Sequence, residues 1–463
     1  MDRRAFLAGG VALASAPAAF ADSDDLRTAA REAWLYSLPL IQTARARAAT
    51  LSAGGQVNAF FHQRNPWAPG TLDLSAAETD VLYSQAWINL TEGPATVRAP
   101  PVSGRCMSVT LLTLYGDVLA SLEGGDEDRA AVTLIGPPKR MGMPGYTVPE
   151  PRLPPMRRMI KTRSPWVWAL ARTSFAGADD LDGARAAQDG LEVRGARAAG
   201  RAPVSWVAPE APWSDYFYAA QQLIDENPPP IDDARFFRRI ALLQLGSGGG
   251  FEQARFADAD LGAIEQGVAD ARILARSLQS TDNIDGGWRY PAADLGDFGQ
   301  DFLYRAQVAL AEPGAPKSDE VLCLRAVTPE GDAAFDSELA YRLTLPGPPP
   351  AFGWSVGLYE VRADGRLVPT RNMLERYAIG AATPNLRRGP GGEIDIWIGR
   401  VDPGANHGAN WLPAPTSGPF ALLLRAYRPD PELVERRWRP PPVEALRAPP
   451  PAPYVNPHVR RRR

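Results

Sequence analysis

The sequence predicts an α+β protein, mainly β, with two antiparallel β-sandwich-like domains joined by a helical section. Three observations predict it. Short β-like runs broken by Gly and Pro clusters fill Ala86 to Thr173, a spacing that suits an antiparallel sheet, sandwich or barrel. Acid-led helical patterns follow between Ser214 and Leu278. Two-residue alternation then returns, cleanest in Glu393-Ile394-Asp395-Ile396-Trp397-Ile398, which puts three isoleucines on one face.

The elements are justified in chain order. Met1-Asp2-Arg3-Arg4-Ala5-Phe6-Leu7 pairs two arginines ahead of a mildly apolar run, and Ala19-Phe20-Ala21 has the small-x-small form of a peptidase site. Residues 1–21 therefore read as a twin-arginine signal peptide cleaved after Ala21, a receptor-read address rather than an anchor. This expectation places the mature protein in the periplasm or beyond it and makes the twin-arginine export machinery a partner. No later segment has the length and apolarity of a membrane span, so no stable membrane insertion is expected.

Residues 22–180 form the first domain. Ser23 or Asp24 caps a helix through Asp25 to Thr50, acids first and arginines later, which suits the macrodipole, and Pro39 should kink it. Strands are expected at Ala95-Thr96-Val97, Met107 to Leu112, Ala130 to Ile135 and Trp166 to Arg172. Residues 181–290 form a helical connector. It holds an Ala/Gly/Arg-rich helix and loop from Asp182 to Pro203, a helix capped by Ser214 through Glu226, one opened by Asp232-Asp233 and closed by Gly246, and one from Asp258 or Asp260 to about Leu278. Residues 291–440 form the second β-rich domain, with a hairpin at Asp364-Gly365 and a buried strand from Phe420 to Tyr427 that presents Arg425 and Tyr427 on one face. Residues 441–463 are a Pro/Arg-rich tail.

Composition narrows the chemistry. The chain has 463 residues, 45% hydrophobic and 22% charged, values that fit a folded chain with a real core. Its net charge of −3 argues against nucleic-acid binding, which needs a basic field. Cys106 and Cys323 both sit in strand-like runs and read as two free thiols. The histidines are His62, His407 and His458. There is no HExxH, CxxC or paired-His spacing, so no His/Cys metal site and no cofactor are expected. No GxSxG elbow or GxxxxGK[ST] loop occurs. Gly246-Ser247-Gly248-Gly249-Gly250 has the composition of a phosphate loop but no preceding parallel strand, and reads as a helix terminator. Asp294, Asp297 and Asp301 lack calcium-loop spacing and read as loop or cap residues.

Separated segments share one further property, their order. They are Asp80-Val81-Leu82-Tyr83-Ser84, Trp87, Arg105, Trp168, Ala171-Arg172-Thr173, Gly299-Gln300-Asp301-Phe302-Leu303-Tyr304-Arg305-Ala306 and Gly353-Trp354-Ser355. Asn410-Trp411-Leu412-Pro413-Ala414-Pro415, Leu424-Arg425 and Tyr427-Arg428-Pro429 complete the series. In this order the chain resembles the secreted bacterial proteins that pair domain-of-unknown-function families 1254 and 1214. The resemblance runs from about Arg27 to Val443. It implies two β-rich domains joined by helices and an extracytoplasmic location, and supplies no established activity. The sequence departs from the pattern at the Pro-Asn-x-Asp-Thr-x-Tyr run, which here reads Ala77-Glu78-Thr79-Asp80-Val81-Leu82-Tyr83. An Arg-Tyr pair becomes Arg105-Cys106, and Gly353 replaces a Phe.

The matching residues are rich in aromatic and Arg side chains, which stack on sugars or planar ligands and clasp carboxylates or phosphates. They define a candidate cleft. Asp80, Tyr83, Arg105 and Arg172 come from the first domain; Arg305, Trp354, Asn410, Trp411 and Arg425 come from the second. Each also has a structural reading: Trp87, Trp168 and Trp354 as core, Asn410-Trp411 as a tight corner, Arg305 and Arg425 as buried ion pairs. Three functions stay open. They are a binding protein for a small molecule or envelope glycan, which the altered N-terminal motif favours; a carboxylate/Tyr/Arg enzyme such as a hydrolase or lyase; and a structural or assembly module forming a homo-oligomer.

Overall fold

The structure, a computed structural model, describes residues 23–67, 75–125, 129–137, 158–195, 206–246, 250–277, 283–331, 334–363, 365–404 and 407–446. The expected leader at 1–21, Ser247 to Gly249, Asp364, His458 and the tail beyond 446 lie outside them. Among the described residues the α-helices are α1 (Ser23–Ser52), α2 (Leu181–Asp189), α3 (Trp213–Glu226), α4 (Ala234–Arg239), α5 (Asp258–Arg276), α6 (Phe302–Ala311) and the single-turn α7 (Pro431–Val434).

The first sandwich pairs a five-stranded antiparallel sheet with a four-stranded one. The larger sheet runs in the order Phe61–His62, Val81–Asn89, Trp166–Ser174, Met107–Thr113, Val118–Glu123. The smaller runs Met159–Lys161, Ala131–Ile135, Ala95–Arg98, Glu192–Gly195, with one parallel pair at its edge. Side chains alternate across a strand. Ala86, Ile88, Val167, Ala169, Val109 and Leu111 therefore point into the sandwich against Val97, Val132 and Leu134. Tyr83, Trp87, Trp168, Leu170 and Leu112 point the other way, onto the helices. Both faces of this sheet are covered, which is why its central strands read as continuous apolar runs.

Helix α1 is the centre of that second layer. Every residue from Ala33 to Ile41 is buried, with Pro39 inside the helix. A helix apolar on all sides must be covered on all sides. Here the sheet covers one side, and α3, α5 and α6 cover the rest. At Gly267 of α5 a Cβ atom would lie 2.2 Å from the Arg27 carbonyl oxygen, so only glycine permits the approach of α5 to α1. Trp87 and Trp168 are directly opposed across two strands and stack at 5.2 Å and 6°. The Trp87 indole N–H donates to Thr50 Oγ1 on α1 at 3.1 Å.

The second sandwich packs an eight-stranded sheet on a four-stranded one. The larger is built around Val321–Ala326, Pro419–Pro429 and Ala351–Val361; the smaller runs Trp411–Pro413, Ile394–Gly399, Ala340–Leu345, Glu444–Leu446. Ile394, Ile396 and Ile398, with Leu343 beside them on the next strand, pack with Leu424, Val356 and Trp354 of the larger sheet in its core. Val361 pairs with Leu367 across the expected hairpin, where Gly365 takes a φ of 85°. Among the described residues no sheet closes into a barrel. Among the described residues no helix is long and apolar enough to cross a membrane. Cys106 and Cys323 are both free.

Two helix expectations need correction. Ser214 does not cap α3. The helix starts one residue earlier, at Trp213, and the Pro212 carbonyl accepts the Tyr216 N–H. The helix expected from Asp232 to Leu245 is broken into a turn at Ile231–Asp233, the six-residue α4 and a turn at Ala241–Leu243. At the first break, Asp233 is turned away from the helix. Its carboxylate points inward to the Tyr36 hydroxyl at 2.7 Å and to Gln300 at 2.8 Å instead of capping the helix.

Replacing Trp87 with Ala removes the stack and leaves the Thr50 hydroxyl without its indole partner. Denaturant unfolding of this variant should show a loss of about 3–5 kcal/mol; a loss below about 1 kcal/mol would mean the layer is held elsewhere.

Candidate functional site

The outer face of the eight-stranded sheet meets the first domain through polar side chains. Leu423, Arg425 and Tyr427 alternate along the strand Pro419–Pro429, and Cys323 and Ser355 pair with Arg425 on the flanking strands. Arg425 is 2% exposed. Its Nη1 donates to the Tyr359 hydroxyl at 2.5 Å, its Nη2 donates to the Ala76 carbonyl, and Glu312 lies 3.8 Å away. Tyr359 in turn donates to the Ala77 carbonyl at 3.0 Å. Tyr427 donates to Asp80 Oδ1 at 2.8 Å. The second sandwich thus holds residues 76–80 of the first by three side chains.

Behind that segment, Arg172 Nε donates to Glu78 Oε1 at 3.0 Å, and its Nη2 donates to the Gly314 carbonyl at 3.0 Å. Tyr83 Oη accepts the Glu78 N–H at 3.0 Å. Gly314 has φ +79° and sits where a Cβ would fall 2.7 Å from Leu170 Cδ2, so the loop after α6 comes close enough for this bond only as glycine.

Four carboxylates, Glu78, Asp80, Glu312 and Glu320, surround these two guanidiniums. Buried negative charge in excess favours retained protons. Burial pushes the Asp80 carboxyl up, against hydrogen bonds from Tyr427 and Ser355. Burial also pushes Glu312 up, with Arg425 opposing and Glu78 adding. Glu320 is raised by burial to about 7, although Ser121 donates to it and Arg172 attracts its charge. Its Oε2 is buried with no hydrogen-bond partner. Burial opposes the Arg425 charge, but Tyr359, Cys323, Glu78 and Glu312 outweigh it and hold the guanidinium protonated.

One end of this cluster opens into a cavity of about 480 Å³ between α6 and the strands Trp288–Arg289 and Val321–Ala326. Of the four carboxylates only Glu312 lines it, with 31% of its side chain exposed. Cys323 and Arg325 line the opposite wall from alternate positions of one strand, and Arg289 is the cross-strand partner of Arg325. Burial lowers both guanidiniums, Arg325 to about 10 with the Arg289 charge adding to the effect. Burial pushes the Cys323 thiol up, which leaves it protonated. Tyr304, Gln307, Leu303 and Leu423 complete a mostly apolar wall.

Residues 57–195 match the DUF1254 family and residues 320–431 match the DUF1214 family, both described as proteins of unknown function. The chain belongs to the proteins that pair these two domains. The DUF1254 match covers the first sandwich, and the DUF1214 match covers much of the second. Among solved structures, the VPA0106 protein from Vibrio parahaemolyticus is 16% identical, with a TM-score of 0.60 over 92% of this chain and 100% of that one, a likeness of fold. An uncharacterized protein from Burkholderia cenocepacia is 12% identical, with a TM-score of 0.43 over 91% of this chain and 94% of that one. No curated protein matches.

The cleft expected from the sequence divides in this DUF1254–DUF1214 chain. Asp80, Tyr83, Arg172 and Arg425 come together in the interdomain cluster. Arg105 stands apart on the first domain, bidentate to Asp180 at 2.6 and 3.2 Å. Arg305 is 2% exposed within the helical layer, over the rings of Tyr36, Tyr115 and Phe302, with Nε and Nη2 lacking hydrogen-bond partners. Trp354 lies in the second core. Asn410 fixes a corner through the backbone of Arg387 and Asp395, and the Trp411 indole donates to the Gly399 carbonyl. Sequence reasoning missed Glu78, Glu312, Glu320, Arg289 and Arg325. A usable signal for the last was Val321-Leu322-Cys323-Leu324-Arg325, a cation set at strand spacing among apolar residues.

A raised carboxyl stabilises the folded state below its unfolded pKa and loses that contribution as pH rises through its folded value. For Glu320 the window runs from 4.5 to about 7. His62, lowered by burial and then Arg64, slopes the opposite way over part of that range. Glu320→Gln should therefore make the wild-type-minus-variant stability difference fall with rising pH across this window in chemical denaturation. A pH-independent difference would place the Glu320 pKa near its unfolded value.

Proposed function

We propose that the chain is an exported binding protein for a small polar molecule bearing a carboxylate or phosphate, taken up in the cavity beside α6. The observation that carries this reading is the pair Arg289 and Arg325, directly opposite on neighbouring strands and both on the cavity wall. Guanidinium forks match carboxylate and phosphate geometry. The volume lies in the usual range for small-molecule sites, and the apolar wall with a few convergent polar groups is the usual composition.

A second reading has one observation of its own. Glu312 faces the same cavity, and burial raises its carboxyl against the hydrogen bond from Cys323, the direction that suits a general acid. Disappearance of a bound compound on incubation, followed by mass spectrometry, separates this from binding.

Export rests on Arg3-Arg4 and the cleavage motif ending at Ala21. Replacing both arginines with lysine should leave uncleaved precursor in the cytoplasmic fraction of a bacterial host. Normal processing of that variant would remove the twin-arginine route.

For the site, thermal melts with inorganic phosphate, succinate, glucuronate and glucose give the test. At a hundred times its Kd a true anionic ligand adds about 2.7 kcal/mol and raises Tm by a few degrees. Arg325→Met should abolish the rise. Equal shifts from glucose, or from the variant, would overturn the anion reading.

A further inference from the structure

We infer that the ligand is a zwitterion, with its anionic end on Arg289 and Arg325 and an ammonium group at the other end of the cavity on Glu312. This rests on the reading of the cavity as an anion site and adds the second pole.

The charge around Arg425 and Arg172 is the argument. Two guanidiniums stand among Glu78, Asp80, Glu312 and Glu320. Glu78 is held by Arg172 at 3.0 Å and Asp80 by Tyr427 at 2.8 Å, and neither lines the cavity. Glu320 is engaged with Ser121 and lies off the cavity too. Glu312 has the weaker hold, 3.8 Å from a guanidinium already committed to Tyr359 and Ala76, and it is the member of the group on the cavity wall. The surplus carboxylate of this buried cluster thus faces a cavity from which a cation can reach it. A ligand ammonium there completes the charge balance that a proton otherwise supplies.

The two poles sit on different residues of the wall: Glu312 bonds Cys323, and Arg325 follows two residues later on the same face of the strand. Poles offset along the strand suit a short ω-amino acid or a dipeptide, whose charges lie at opposite ends, better than an α-amino acid, whose charges share one carbon.

Calorimetric titration of the full chain at pH 7.5 with 5-aminopentanoate, 5-hydroxypentanoate and pentanoate tests the inference. Only the amino acid can make a charge-assisted hydrogen bond to Glu312, so it should bind at least about tenfold more tightly than either other acid. E312Q should reduce that preference to within about twofold. Equal binding of the three acids by the wild type overturns the zwitterion inference with no variant needed. So does a preference that survives E312Q. Absence of binding by all three acids, or pentanoate binding untouched by Arg325→Met, sinks the anion site itself.

Discussion

The guanidinium of Arg425 is bonded to its own sheet through Tyr359 and to the other domain through the Ala76 carbonyl. A buried cation is costly unless its donors are satisfied, and one of its acceptors here belongs to the other sandwich. The docking of residues 76–80 is thereby part of what makes Arg425 tolerable where it is. Tyr427 on Asp80 and Tyr359 on Ala77 fix the same segment from the same face. Arg172 anchors it from behind and also grips Gly314, in the loop that leaves α6. Segment 76–80, α6 and the outer face of the second sandwich are therefore held as one unit.

That unit explains where the cavity lies. Its walls are the same elements: Ala76 from the clasped segment, α6 and Glu312 beside it, Cys323 and Leu423 from the sheet. A hole at such a junction has rigid sides, because moving any wall breaks a buried polar contact. Rigid walls suit recognition of a small solute by charge position.

The strands and long helices were legible because two-sided burial writes continuous apolar runs, and α1 writes acids first. The outcome at Arg425 and Trp354 shows what was not legible. Both are distinctive residues on paired strands, but Trp354 is opposite Ala426 and Ser355 is opposite Arg425. One residue of register sends the tryptophan into the core and the arginine to the interdomain face. A polar residue in an apolar run announces that it needs a partner without naming it. Arg305 found three aromatic rings, Asn410 found backbone, and Arg172 found Glu78. Glu78 itself stands where the family pattern has asparagine, so the departure noted in the sequence is the carboxylate that pairs with Arg172. Arg289 and Arg325 come opposite one another only through the pairing of two short strands, and Glu312 joins the same cavity only through the path of α6; neither placement can be read from one segment alone.

Helix α1 is the first described element of the chain, yet the helices that cover it include α5 and α6, the latter ending at Ala311. During synthesis its apolar surface has no permanent cover until most of the polypeptide has left the ribosome. Contacts so distant along the chain close slowly, and exposed apolar surface in the interval invites aggregation. The nascent protein is thus committed to a late folding step, in which the N-terminal end waits for its neighbours, and a chaperone that shields a long apolar helix would act during that interval.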